Sequence, residues 1–295
     1  MEKRWLYVTS EELEQLRDQV GGVCVIPMGA VEKHGLHLPL GADIIQSSCV
    51  AHMAAELEPV CLFPDLPFGD LSCGHPTTPC GTISLPMETE MLLLEQLCDQ
   101  IGRYGFHKIL LCNGHGGNFA WLTAFLEKLG NKKKNYVVAS VFVALKVNVI
   151  HKMGAYLEEN GLGSIPELQP EDEKLILRYY RDKIPSGHGC LGETALVMGA
   201  APDTVKLHRL GIESGKSLHL TDHFREAGIE IRDDGWFEDY PNNYAAAEDP
   251  VDCNERIGKA ALRFEAERIA NAYKVFKEDQ NLLKWQAQRQ AGWNP

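Results

Sequence analysis

The run Gly22-Val23-Cys24-Val25-Ile26 is wholly apolar and rich in β-branched side chains, and the chain turns polar soon after it ends. A run of that length and content reads as a buried parallel strand, whose carboxyl end is where α/β folds bind ligands. Similar runs recur at Pro59–Pro64, Lys108–Cys112 and Tyr136–Val143. Between them lie segments of helical periodicity: Ser10 to about Gln19, Ile44–Leu57, Glu88–Tyr104 with Met91, Leu94, Leu97, Cys98 and Ile101 on one face, and Phe119–Leu129. Thr9-Ser10-Glu11-Glu12 carries the cap and the first-turn acids of a helix start. Strands alternating with helices in this way predict an α/β fold, a mainly parallel sheet wrapped by helices.

The first strand feeds Pro27–Asp43, which holds Glu32, His34, His37 and Asp43, punctuated by Gly29, Gly35, Pro39 and Gly41. The glycines and prolines hold loop geometry rather than extend a helix. Carboxylates and imidazoles without cysteine suit Zn, Mn or Fe(II), and a carboxylate can bridge two such ions and activate a shared water. One loop cannot complete such a site, so the reading demands further ligands at other strand ends. Glu32, His34 and Asp43 also read as ordinary loop polars, and Asp43 as the N-cap of the helix that follows.

Two more blocks meet that demand. The third apolar run ends in Asn113-Gly114-His115-Gly116-Gly117-Asn118, where glycines permit close backbone approach around His115. Ser186–Met198 again surrounds a His and a Glu with glycines, and Glu193 opens an apolar helix whose dipole favours its charge. His115 could instead be structural and Glu193 an ordinary first-turn acid. The long Gly- and Pro-rich loop Leu66–Pro76 has the length of a functional loop. Trp236, Phe237 and Tyr240–Tyr244 form an aromatic turn suited to a pocket or to a subunit contact. Glu171-Asp172-Glu173 reads as a solvated helix start, Lys132-Lys133-Lys134 as a solvated turn, and residues 252–289 as one long helix with a buried stripe.

A net charge of −12 over 295 residues argues against nucleic acid or an anionic membrane surface as partner. Nine cysteines, an odd number without a Cys-x-x-Cys pair, are used as small hydrophobes in the manner of a reducing cytosol. No apolar stretch reaches the length of a signal-peptide core or a membrane span. The expectation is a cytoplasmic protein of one domain, residues 1–295.

Together the blocks resemble the creatininase (creatinine amidohydrolase) family. The opening signature is matched by Gly29 and by Glu32 through Asp43, the second block by Asn113–Asn118 and the third by Gly187–Thr194, with Phe68-Gly69, His75 and Gly81–Leu85 also similar. The resemblance implies a three-layer α/β/α sandwich holding two divalent ions (Zn, Mn or Fe), often in a homo-oligomeric hexamer, and hydrolysing a small cyclic amide. It implies Asp43 as the bridging ligand, and Glu32, His34 and His115 as ligands of one ion each, with Glu193 the remaining carboxylate. Creatininases carry an acid two residues after the His of the second block, where this chain has Gly117, and Glu193 is the nearest candidate to supply that charge. The third block departs too: His-Ala-Gly reads His188-Gly189-Cys190, and the serine after Glu-Thr is Ala195.

The mechanism this implies is attack of an activated water on a carbonyl of a small-molecule substrate, with His188 passing a proton to the leaving atom and Glu193 assisting. Relatives acting on formamides, on a small precursor peptide or on a cyclic diketone of inositol breakdown keep the substrate open. A cysteine hydrolase using Cys73, Cys80 or Cys190, and a metal-binding protein without activity, are the rival classes.

Overall fold

The computed structural model describes residues 1–69, 71, 80–143, 148–231 and 235–292. Cys73 and His75, with most of the long loop after Phe68, and the acidic Asp233 and Asp234 lie outside the described residues.

Four strands, β1 (Val23–Met28), β2 (Cys61–Leu62), β3 (Lys108–Asn113) and β4 (Val137–Phe142), form a parallel sheet in the order β2-β1-β3-β4. β1 and β3 are buried along their whole length, which is why they read as continuous apolar runs rather than alternating ones. Their side chains still divide between the faces. Val23, Val25, Leu110 and Cys112 point into one core, and Cys24, Ile26, Met28, Ile109 and Leu111 into the other.

The first core is closed by helices α2 (Ala42–Leu57), α5 (Val149–Asn160), α6 (Pro170–Arg181), α7 (Leu191–Ala200) and α10 (Glu255–Glu278). The second is closed by α1 (Ser10–Gln19), α3 (Met87–Arg103) and α4 (Asn118–Gly130). The result is the expected three-layer α/β/α sandwich. Short helices α8 (Asp222–Glu226) and α9 (Trp236–Asp239) lie in the excursion between α7 and α10, and α11 (Leu282–Gly292) follows at the end.

The crossover from β1 to β2 runs through α2 on one face, and that from β2 to β3 through α3 on the other. The carboxyl ends of β1 and β3 therefore flank a topological switch point, where a crevice opens.

Four local expectations are corrected. The helix expected over 252–289 breaks at residues 279–281, because the Asp279 side chain accepts the amides of Asn281 and Leu282 and starts α11 afresh. Asp43 is not an N-cap: Gly41 occupies that position and Asp43 lies inside the first turn. Asp172 and Glu173 are not solvated. Asp172 is buried against Arg256 at 2.6 Å and Glu173 accepts the amide of Gly163 at 2.6 Å, tying the start of α6 to α10 and to the preceding loop. Lys132 and Lys134 are ion-paired to Glu95 and Asp99, joining the α4–β4 turn to α3.

Candidate metal centre

Three chain segments converge on the switch point. The loop after β1 brings Glu32 and His34, the loop after β3 brings His115, and the turn into α7 brings His188 and Glu193. Asp43 reaches them from the first turn of α2 because the strand ends lie directly on that turn. A Cβ at Gly29 would sit 2.5 Å from the Ile44 amide nitrogen, and one at Gly114 2.5 Å from the Asp43 carbonyl oxygen. No side chain fits at either position, and glycine is required for close approach rather than for an unusual backbone angle.

Asp43 is shared between two groups. Its Oδ2 lies 2.9 Å from His115 Nδ1, which is also 3.2 Å from Glu32 Oε2. Its Oδ1 lies 3.1 Å from His34 Nε2, which is 3.9 Å from Glu193 Oε2. In a third group Glu32 and His34 meet His188, whose Nε2 is 3.6 Å from Glu32 Oε1 and whose ring stacks on His34 at 3.8 Å. Glu32, His34, Asp43, His115 and Glu193 are all buried.

Glu32 Oε2 and Asp43 Oδ2 have no hydrogen-bond partner of proper geometry, although an imidazole nitrogen stands within 3.2 Å of each. Buried carboxylate oxygens left so are costly. Within each group the ligand atoms lie within 4.8 Å of one another, a spacing that fits a shared cation, and oxygen and imidazole donors without sulfur fit Zn, Mn or Fe(II). His34 Nδ1 faces the Glu32 carbonyl at 3.1 Å, an acceptor that keeps a proton on Nδ1 and leaves Nε2 for the cation.

Burial and the neighbouring charges act in opposite directions on these groups. Burial opposes charge on His34, but Asp43, Glu193 and Glu32 outweigh it and raise the imidazole to about 10. His115 is likewise raised well above its ordinary value by Glu32 and Asp43 against burial. Burial works against ionisation of Asp43 and Glu32 as well, yet the surrounding imidazoles hold both below the usual carboxylate range. Glu193 goes the other way: burial and the charge of Asp43 raise it despite His34 and His188. It also accepts the Gly189 amide at 2.6 Å.

The groups open into a cavity of about 640 Å³. Among the described residues its apolar wall includes Leu71, Met87, Phe119, Val149, Trp236 and Phe237, so Trp236 and Phe237 of the aromatic turn line the pocket.

The Creatininase family profile, described as creatinine amidohydrolase, matches residues 7–273. The chain belongs to the creatininase family. The creatinine amidohydrolase of Pseudomonas putida is 27% identical over 192 residues, 64% of this chain and 68% of the relative. The mycofactocin precursor peptide peptidase of Mycobacterium tuberculosis (strain CDC 1551 / Oshkosh) is 31% identical over 109 residues, covering 34% of this chain and 42% of its own. A solved structure of creatinine amidohydrolase (creatininase) superposes with a TM-score of 0.66 at 20% identity, covering 94% of this chain and 99% of that one. A creatininase in a Mn form matches at 0.67 and 20% identity, over 95% and 100%. The protein is a hydrolase of the creatininase family.

Against the creatininase signature, Gly117 is the N-cap of α4 and stands in the cavity wall without a side chain. Its neighbour Asn118 turns inward to Asn113 and Trp121. Glu193 joins the His34 group, and among the described residues the group around His115 holds the carboxylates of Glu32 and Asp43. His37 stands apart from the ligand groups. Its Nε2 meets the Gly189 carbonyl at 3.0 Å and Thr194 Oγ1 at 3.1 Å, and burial lowers it to about 4, so it joins the first block to the third as a neutral ring.

Cys190 lines the cavity, but burial raises its thiol, the reverse of what a nucleophile needs. Cys80 is exposed and is not among the described residues that line the cavity.

Asn243 was not singled out by sequence reasoning. Its amide nitrogen reaches Glu32 Oε1 at 2.8 Å across 211 positions of chain. The aromatic turn marked its neighbourhood, but nothing local marked the Asn itself.

Proposed function

We propose that this protein is a binuclear metal-dependent hydrolase that adds water across a carbonyl, with C–N hydrolysis of a small cyclic amide of the creatinine kind as its first reading. The observation that carries it is the divided Asp43 carboxylate, one oxygen toward Glu32 and His115 and the other toward His34 and Glu193. On this reading Glu32, Asp43 and His115 hold one divalent ion, and His34, Asp43 and Glu193 a second. The ions, Zn, Mn or Fe(II), supply Lewis-acid activation of the carbonyl and of water near neutral pH.

The chain's own residues do the rest. Trp236 and Phe237 orient the organic part of the substrate and exclude water from the apolar side. His188 gives a proton to the leaving atom. Its Nε2–H is held by the Lys33 carbonyl at 2.9 Å, so the proton it passes on is one that Nδ1 takes from the attacking water. Removing it would cost about 10²–10⁴-fold in rate, the usual worth of a positioned acid.

A second reading rests on cavity size. About 640 Å³ suits a ligand larger than a single five-membered ring, and the similarity to a peptide peptidase points the same way, toward hydrolysis of a larger amide. A formamide or a cyclic diketone would use the same groups.

The test is mass-spectrometric detection of water addition by protein loaded with Mn or Zn and offered creatinine, a formamide, a short peptide and a cyclic diketone. Turnover of any one that stops with chelator is the expected result. Metal uptake without turnover of any carbonyl compound would sink the enzymatic reading in favour of a binding protein.

Every described cysteine is free, in keeping with a reducing cytoplasmic setting. Among the described residues no helix is long and apolar enough to cross a membrane. A homo-oligomer, a hexamer on family resemblance, is proposed alongside, to be read by light scattering.

A further inference from the structure

The two oxygens of Glu32 have different surroundings. Oε2 turns toward His115 and Asp43, while Oε1 accepts a hydrogen bond from Asn243 Nδ2 at 2.8 Å. Asn243 is buried, and both ends of its amide are engaged. Nδ2 also donates to the Lys33 carbonyl at 2.8 Å, and Oδ1 accepts from Trp236 Nε1 at 2.6 Å. These partners settle which end of the amide is which. An ionised carboxylate and a carbonyl can only accept, and an indole N–H can only donate.

The backbone is committed as well. Asn243 has a φ of 47°, in the left-handed region where Asn is among the best tolerated residues after glycine, and its carbonyl accepts the Gly35 amide at 3.2 Å. Asn243 thus holds the ligand loop at Glu32, Lys33 and Gly35 together.

We propose that Asn243 is the positioning residue that fixes Glu32 in its metal-binding orientation, and that the Trp236 indole in turn fixes Asn243. The inference rests on Glu32 being a metal ligand. A carboxylate on a loop can rotate, and a cation gains most when one oxygen is already pinned by a neutral donor while the other faces the site. Trp236 stands in the cavity wall and meets the His188 ring edge-on at 5.7 Å, so one side chain contacts the substrate space, the proposed proton donor and the support of a ligand. The chemistry at Glu32 is thereby tied to a segment about 200 residues away in the chain.

The experiment is zinc affinity by competition with a chromophoric chelator, measured for the wild type, Asn243→Gly, Trp236→Phe and Asn242→Ala, with circular dichroism as the check on folding. Glycine accepts the left-handed backbone, so Asn243→Gly removes the amide without straining the turn. The expected result is zinc affinity lowered by about 10–100-fold in Asn243→Gly, less in Trp236→Phe, and unchanged in Asn242→Ala. A folded Asn243→Gly that binds zinc within about twofold of the wild type would overturn the proposal. Should that variant not fold, Trp236→Phe decides: weakened binding upholds the inference and wild-type affinity overturns it. A wild type that binds no zinc would refute the reading of the site itself, a separate outcome.

Discussion

The Glu32–Asp43–His115 group and the His34–Asp43–Glu193 group use one carboxylate in common, yet their charge balance differs. In the first, both carboxylates lie within 3.2 Å of one imidazole and are held below the usual carboxylate range. In the second, Glu193 stands 3.9 Å from its imidazole, and burial together with the Asp43 charge raises it. At 3.9 Å from its imidazole rather than 3.2 Å, Glu193 is shifted in the opposite direction from Glu32. Two glutamates in one cluster thus differ in charge balance with their distance to the nearest imidazole. On the binuclear reading proposed above, the Glu32 side is expected to hold its ion more tightly.

The largest effect should come from the shared residue. Asp43→Asn removes the carboxylate from both groups, so metal content measured by atomic emission should fall at both positions and activity should drop to background; one full equivalent of retained metal would show that the groups are independent. Next comes His188→Ala, which should keep its metal and lose about 10²–10⁴-fold in rate. Loss of metal in that variant would make His188 a ligand, as its place beside Glu32 and His34 allows geometrically.

The comparison is sharpened by matched neutral isosteres. Glu32→Gln should weaken one ion by about 100-fold and Glu193→Gln the other by about 10-fold, read as two separate steps in a calorimetric titration. Equal losses would remove the asymmetry argued above.

The smallest effect is a pH dependence. Without metal, His34, raised to about 10, and His115, raised well above its ordinary value, carry protons at pH 7. A cation must displace them, so loading should release about one proton per imidazole and apparent affinity should rise with pH up to about 10. Calorimetry in buffers of different ionisation enthalpy counts those protons, and a count of zero would mean the rings are neutral before metal arrives. For the metal-free protein, the raised His34 stabilises the fold fully below its unfolded value of about 6.5, and that contribution is lost as pH rises through about 10.

The order of strands and helices was legible because β1 and β3 are buried on both faces and therefore apolar without interruption. The break in the C-terminal helix is not legible locally because the apolar stripe runs past residue 278. What ends it is the Asp279 side chain capping the next helix and the Lys108 ammonium bound to the carbonyls of Lys277 and Asp279, a contact some 170 positions apart. The acids of α6 looked solvated for the same reason, since Arg256 reaches Asp172 from 84 positions away.

By itself the sequence determined the layered α/β architecture and the three loops that carry carboxylates and imidazoles. Both are written in local patterns: apolar runs that must be buried, and glycines packed around polar side chains at their ends. Only the tertiary structure decided how those side chains divide. It put Asp43 between two groups, turned His37 away to brace Gly189 and Thr194, joined Glu193 to the His34 group, and brought Asn243 to Glu32. Those outcomes depend on contacts separated by up to 211 positions, which close packing selects and no short stretch of chain encodes.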